Sequence, residues 1–156
     1  MDIPKRKPTR IPDYDYTNHN YYFVTVCTHK KKWIFGAAGK PNAYGKIAEE
    51  CLQKIPVTYS GIYLDKYVVM PNHIHAIIVI DAAAQNTVSL THIVGQYKMT
   101  VTKKIRKIKP NQQVWQRSFH DHIIRNQTDY ERIWLYIHAN PQKWNSDCFY
   151  EEKPVL

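Results

Sequence analysis

The sequence has no long apolar run. Its longest apolar stretch lies near AIIVI at 76–80, far short of the roughly 20 residues that a membrane-spanning helix needs. The opening residues, MDIPKRKPTRIPDYDY, contain no apolar signal core, so no membrane association and a cytoplasmic location are expected. Cysteine is scarce: Cys27, Cys51 and Cys148 are odd in number, far apart and in no CxxC pair, which argues against a disulfide framework or a zinc site. Acidic residues are outnumbered, 13 Asp and Glu against 22 Lys and Arg, for a formal charge of +9. Such an excess favours an anionic partner, nucleic acid or an acidic membrane, without choosing between them. There is no internal repeat, second domain or long linker, and 156 residues suit one compact domain.

What is present is a regular succession of elements. Residues 1–20 are polar, proline-bearing and basic and read as an arm, with a single domain over 21–156. YYFVTVCTH (21–29) is β-branched and aromatic and reads as a strand. A loop follows around Gly36, Gly39 and Pro41. NAYGKIAEECLQKI (42–55) sets Ile47, Cys51 and Ile55 on one helical face. GIYLDKYVVM (61–70) and HIHAIIVI (73–80) form a hairpin across Pro71 and Asn72, both suited to the centre of a tight turn. SLTHIVGQYKMTVTKKIRKI (89–108) has helical spacing, with Tyr97 in its apolar stripe. QVWQRSFHDHIIR (113–125) reads as a strand, and QTDYERIWLYIHANP (127–141) as a helix with Thr128 as its N-cap. The fold class is α+β: a ferredoxin-like antiparallel sheet with two helices on one face and a C-terminal tyrosine-bearing helix.

Strand side chains alternate, so His73 and His75 share a face with Ile77 and Val79, while Ile74, Ala76, Ile78 and Ile80 fill the other. Two imidazoles placed this way can share one divalent metal, or can simply sit hydrogen-bonded in a wet groove. His120 and His122 in FHDHII form a second pair with the same spacing, and periodicity does not rank the two. On the last helix Tyr130, Ile133, Trp134 and Ile137 form the apolar stripe. Tyr136 lies on its flank, and Asn140 stands one turn further on.

MPNHIHAIIVI, VWQRSFHDHIIRN and YIHANPQKW, in that order, resemble the small single-tyrosine HUH transposases of bacteria, and are especially similar to the REP-associated tyrosine transposases. The likeness extends from YDYTNHNYYFVTVCTH to NPQKW. It implies a metal-dependent transesterase that cleaves and rejoins single-stranded or hairpin DNA through a 5′-phosphotyrosine. His73 and His75 would bind the metal, Mg²⁺ or Mn²⁺. Tyr136 would be the nucleophile and Asn140 the third metal ligand, with His122 as a supporting residue. The sequence stops soon after NPQKW, so the long tail of some relatives is not expected to contribute.

Lys5, Arg6, Lys7 and Arg10, followed by Tyr14 and Tyr16, combine charge for phosphates with rings for unpaired bases, although a solubilising tail has the same composition. Lys98 is placed to reach a phosphate. Two other readings compete. One is a non-catalytic single-strand-binding module, which has no need of a phenol beside a metal. The other is a nuclease that uses water and leaves no covalent adduct. A homodimer is compatible with the sequence, with Tyr136 acting in cis or in trans.

Overall fold

The structure, a computed structural model, describes residues 10–81 and 88–147. Its centre is a four-stranded antiparallel sheet of β1 (Asn20–Cys27), β4 (Ile62–Met70), β5 (His73–Ile80) and β6 (His120–Ile124), in the spatial order β4-β5-β1-β6. The hairpin expected across Pro71 and Asn72 pairs Met70 with His73 and Ile62 with Ile80. The order strand, helix, strand, strand, helix, strand yields the ferredoxin-like arrangement, as expected.

Alternation along β1 and β5 sends side chains to two different cores. Val24, Val26, Ile74, Ile78 and Ile80 face α1 (Ala43–Gln53) and α3 (Leu90–Ile108), and this is the larger core. Tyr97 belongs to it, donating its hydroxyl to Ala48 O at 3.0 Å. Ile77 and Val79 face the opposite way, meeting Ile133 and Ile137 of α4 (Gln127–Ala139). β5 is thus covered on both sides, which explains why all eight of its residues are buried.

Several boundaries depart from expectation. Residues 113–119 are not a strand: they touch the sheet through one bridge, Thr28 to Trp115, and only His120–Ile124 pairs with β1. The expected loop after β1 contains a short hairpin, β2 (Gly36–Ala37) with β3 (Lys40–Pro41). Gly36 has φ +102°, and a Cβ there would stand 2.7 Å from Asn42 N. The helix expected over 42–55 starts after an N-cap, Asn42, and gives way to a separate turn, α2 (Ile55–Thr58). Asn126, not Thr128, caps α4 by accepting from Asp129 N at 2.8 Å.

The expected arm also divides. Residues 1–9 lie outside the described residues. Residues 10–20 pack on the domain: Tyr16 is part of the larger core, and Tyr14 bonds the Tyr22 hydroxyl at 2.9 Å.

Candidate active site

His73 and His75 stand opposite Cys27 and Thr25 in the register of β1 and β5. The two rings lie 4.5 Å apart and are 0% and 1% exposed. Each is oriented through its Nδ1. Asn72 Oδ1 accepts from Nδ1 of His73 at 2.8 Å, and Thr25 Oγ1 bonds Nδ1 of His75 at 2.8 Å. This leaves Nε2 of His73 as the lone-pair nitrogen, and the Thr25 contact allows the same for His75. Burial pushes the His73 pKa down to about 4, against the opposing pull of Asp147 and Asn140. Burial also holds His75 well below the ordinary imidazole range, with His73 adding to the effect. Both rings are therefore neutral at pH 7, the form that ligates metals.

α4 brings its side chains to this pair from above. The Tyr136 ring packs 5.3 Å from His75 and 6.3 Å from Phe23, and the residue stays 38% exposed. Asn140, one turn on, is 2% exposed. It keeps helical backbone angles even though Pro141 follows. The chain then turns through a 3₁₀ segment, Trp144–Ser146, and returns over the site. The Trp144 ring packs 5.9 Å from His73 and 5.8 Å from Trp33, anchoring the turn. Asp147 lands in the centre. Its two carboxylate oxygens each stand 3.4 Å from the Tyr136 hydroxyl, and Asn140 Nδ2 donates to Oδ2.

Ligand atoms of His73, His75 and Asp147 all lie within 4.8 Å of one another. Two neutral imidazoles and a carboxylate, beside the Asn140 amide, are a donor set that fits a divalent cation, with imidazole suiting Mn²⁺ better than Mg²⁺. Asp147 has no place in the sequence reading. It lies beyond the helix, where neither helical nor strand spacing relates it to the histidines, and only the turn after Pro141 brings it back.

The structure gathers His73, His75, Tyr136 and Asn140 at one place. It separates the remaining candidates from them. His122 is on β6 and bonds Asp129 through Nε2 at 2.7 Å, outside the cluster. Arg10 donates through Nη1 to Phe119 O at 2.7 Å and to Asp121 at 2.9 Å, with its guanidinium 3.4 Å from the Phe119 ring. Lys98 donates through Nζ to Gln116 O and Ser118 O, both at 2.8 Å. Arg10 and Lys98 thus tether the 116–121 segment, and Lys98 also lines the groove beside it. Tyr16 is buried, whereas Tyr14 is half-buried with its hydroxyl bonded to that of Tyr22. Lys5, Arg6 and Lys7 lie outside the described residues.

The family described as IS200-like transposases matches residues 15–140. The chain belongs to that family. This transposase is 31% identical over 170 residues to an uncharacterized protein of Haemophilus influenzae, covering 95% of the chain and 94% of that protein. It is 28% identical over 136 residues to a second protein of that species, provisionally described as a REP-associated tyrosine transposase, covering 83% and 74%. Among solved structures, a REP-associated tyrosine transposase bound to a REP hairpin superposes with a TM-score of 0.61 at 19% identity, covering 92% of this chain and 74% of that one. A protein of Deinococcus radiodurans, provisionally described as a transposase, gives 0.55 at 16% identity, covering 83% and 97%. Both likenesses concern the fold. No described helix of the IS200-like chain is long and apolar enough to cross a membrane.

Proposed function

We propose that this transposase cleaves and rejoins single-stranded DNA, presented beside a hairpin, through a covalent bond to Tyr136. The observation that carries the reading is the Tyr136 ring 5.3 Å from His75, beside a cluster of His73, His75 and Asp147 ligand atoms. His73 and His75, with oxygens from Asn140 and Asp147, would hold Mg²⁺ or Mn²⁺. When bound, that cation supplies charge stabilisation on the scissile phosphate.

The chain's own residues account for the rest. Tyr136 Oη attacks phosphorus and the P–O3′ bond breaks. The 3′ oxygen gains a proton and leaves as a hydroxyl, and the 5′ phosphate stays on the tyrosine. A free tyrosine has a pKa near 10, so its proton must leave as attack proceeds. Asp147 faces that proton with both oxygens at 3.4 Å. The phosphodiester bond energy is retained, so a 3′-hydroxyl can reverse or redirect the joining. Tyr136 stands beside the histidines of its own chain, which supports action in cis.

A groove of about 820 Å³ between α3 and residues 113–117 supports a nucleic-acid substrate. Lys103, Arg106, Lys107 and Arg117 line it with Trp115, and none of its lining residues is acidic. It is formed by α3 and so lies across the sheet from the histidines, where it would take DNA backbone rather than the reacting phosphate. The hairpin in the related solved structure agrees with this choice of partner.

The test is a denaturing gel of protein with labelled single-stranded hairpin DNA and Mn²⁺. A covalent adduct on the 5′-phosphate side is expected, lost in His73→Ala and His75→Ala while circular dichroism stays native. Free 5′-phosphate ends without adduct would point to a nuclease that uses water, and binding without cleavage to a binding module.

A further inference from the structure

Tyr21 is the exposed member of an otherwise covered row. On β1 it shares the α4 face with Phe23 and Thr25, and Thr25 is the residue that orients His75. Tyr21 is 43% exposed, unusual for a large ring on the sheet face that carries the active site. Beside it opens a pocket of about 410 Å³, lined by Tyr21, Ile124, Arg125, Asn126, Gln127 and Tyr130. That volume falls in the range of small-molecule sites.

We infer that this pocket binds one unpaired nucleobase of the substrate strand, a few nucleotides from the scissile phosphate. The inference rests on the DNA-cleaving reading above and adds a base-recognition site to it. Three observations support it. The first is aromatic geometry. Tyr21 and Tyr130 meet edge to face, centroids 5.8 Å apart at 88°. A perpendicular pair uses the face of only one ring, so a face is left for a base to stack on. The second is rigidity. Tyr130 donates its hydroxyl to Asp65 at 2.6 Å, which fixes the ring from the far side. That bond, together with burial, lifts the Tyr130 pKa to about 12 and keeps the phenol a donor at neutral pH. The third is the polar lining. The Arg125 guanidinium is a group that reads base edges, while the two carboxamides are partly engaged, Asn126 Oδ1 in the α4 cap and Gln127 Nε2 with Glu131. Among the described residues no carboxylate pairs with the Arg125 side chain. A single cation is too little for a phosphate track but suits an edge contact.

Position fits the same ligand. Tyr130 precedes Tyr136 by six residues on one helix, roughly 9 Å of axial rise. Tyr21 precedes Thr25 by four residues on one strand, about 13 Å. A strand whose phosphate sits at Tyr136 and that runs along β1 toward Tyr21 reaches the pocket within a few nucleotides. The pocket and the catalytic cluster share β1 and α4 as walls, so a bound base would fix the register of the strand being cut.

The experiment uses Tyr136→Phe full-length protein as the binding reagent, so chemistry does not enter. The probe is a DNA hairpin with a single-stranded flank that the parent protein converts to adduct, remade with one abasic residue at each flank position in turn. One abasic position is expected to weaken binding about tenfold, the low end of a base-stacking contact. Adding Tyr21→Ala or Arg125→Ala should weaken binding to the intact probe by a similar factor, and add no further loss at that abasic position. Tyr21→Phe, which keeps the ring, should bind as the reference does, and this guards against misfolding of the alanine variant. Equal losses for Tyr21→Ala at every position, or none, would overturn the pocket while leaving the adduct chemistry standing. If the parent forms no adduct with any flank, the functional reading fails first and the pocket with it.

Discussion

Asp147 is where chemistry and geometry converge without any signal in the spacing of the sequence. It contacts the nucleophile candidate and Asn140, and its charge opposes the burial that lowers the His73 pKa. Asp147→Ala is expected to slow adduct formation by at least about 10- to 100-fold, the scale seen when even a group that only orients metal ligands is removed. Its Mn²⁺ requirement should shift to higher concentration, measured as adduct rate against metal. A faster reaction would mean that the carboxylate blocks the site instead of serving it. Strand alternation sets residues 73 and 75 on one face, but it does the same for His120 and His122, and only the family motif ranks the first pair. Tyr136 is legible only through its family motif, since its position on the flank of an apolar stripe fits many packing tyrosines.

At the scale of elements, β5 and α4 have to be held together for the site to exist, and the contact is small. Ile77 and Val79 meet Ile133 and Ile137, with Phe23, Val68 and Tyr130 at the edges. Ile137→Ala should destabilise the domain by about 2–5 kcal/mol. It should also slow adduct formation below the melting temperature, because the helix that carries Tyr136 is no longer seated. Ile105→Ala, buried in the larger core on the other face, should destabilise similarly and leave the rate of the folded protein unchanged. Thermal melts paired with rates at 25 °C separate the two, and equal rate losses would contradict the division of the cores. Periodicity made the hairpin and the long helix α3 readable. It failed where local chemistry decides. Residues 113–119 look like a strand by composition, yet Lys98 and Arg10 tether their carbonyls and lead them past the sheet. Asn126 wins the cap of α4 over Thr128 because its side chain reaches Asp129 N from the residue before the helix. Asp147 returns through a turn that no periodic pattern encodes.

The molecule as a whole is basic, +9 on 156 residues, but the charge is not spread evenly in role. Arg10 and Lys98 tether the 116–121 segment, and Lys98 stands at the groove as well. Lys103, Arg106 and Lys107 surround the groove on the far side of the sheet. Replacing these three with alanine should lower the slope of log affinity against log salt by about 2, given roughly 0.7 per single-strand phosphate contact. Adduct formation at saturating DNA should persist, and an unchanged slope would remove the groove from the DNA path. The whole account stands on one covalent bond. The direct measurement is protein–DNA adduct against time, with labelled hairpin DNA and Mn²⁺, for the parent and for Tyr136→Phe. The variant keeps its ring beside Phe23 and His75 and loses only the hydroxyl, so it should fold and bind DNA as the parent does and form no adduct. An adduct from folded Tyr136→Phe would contradict the mechanism, and the residue that carries the DNA would identify the true nucleophile.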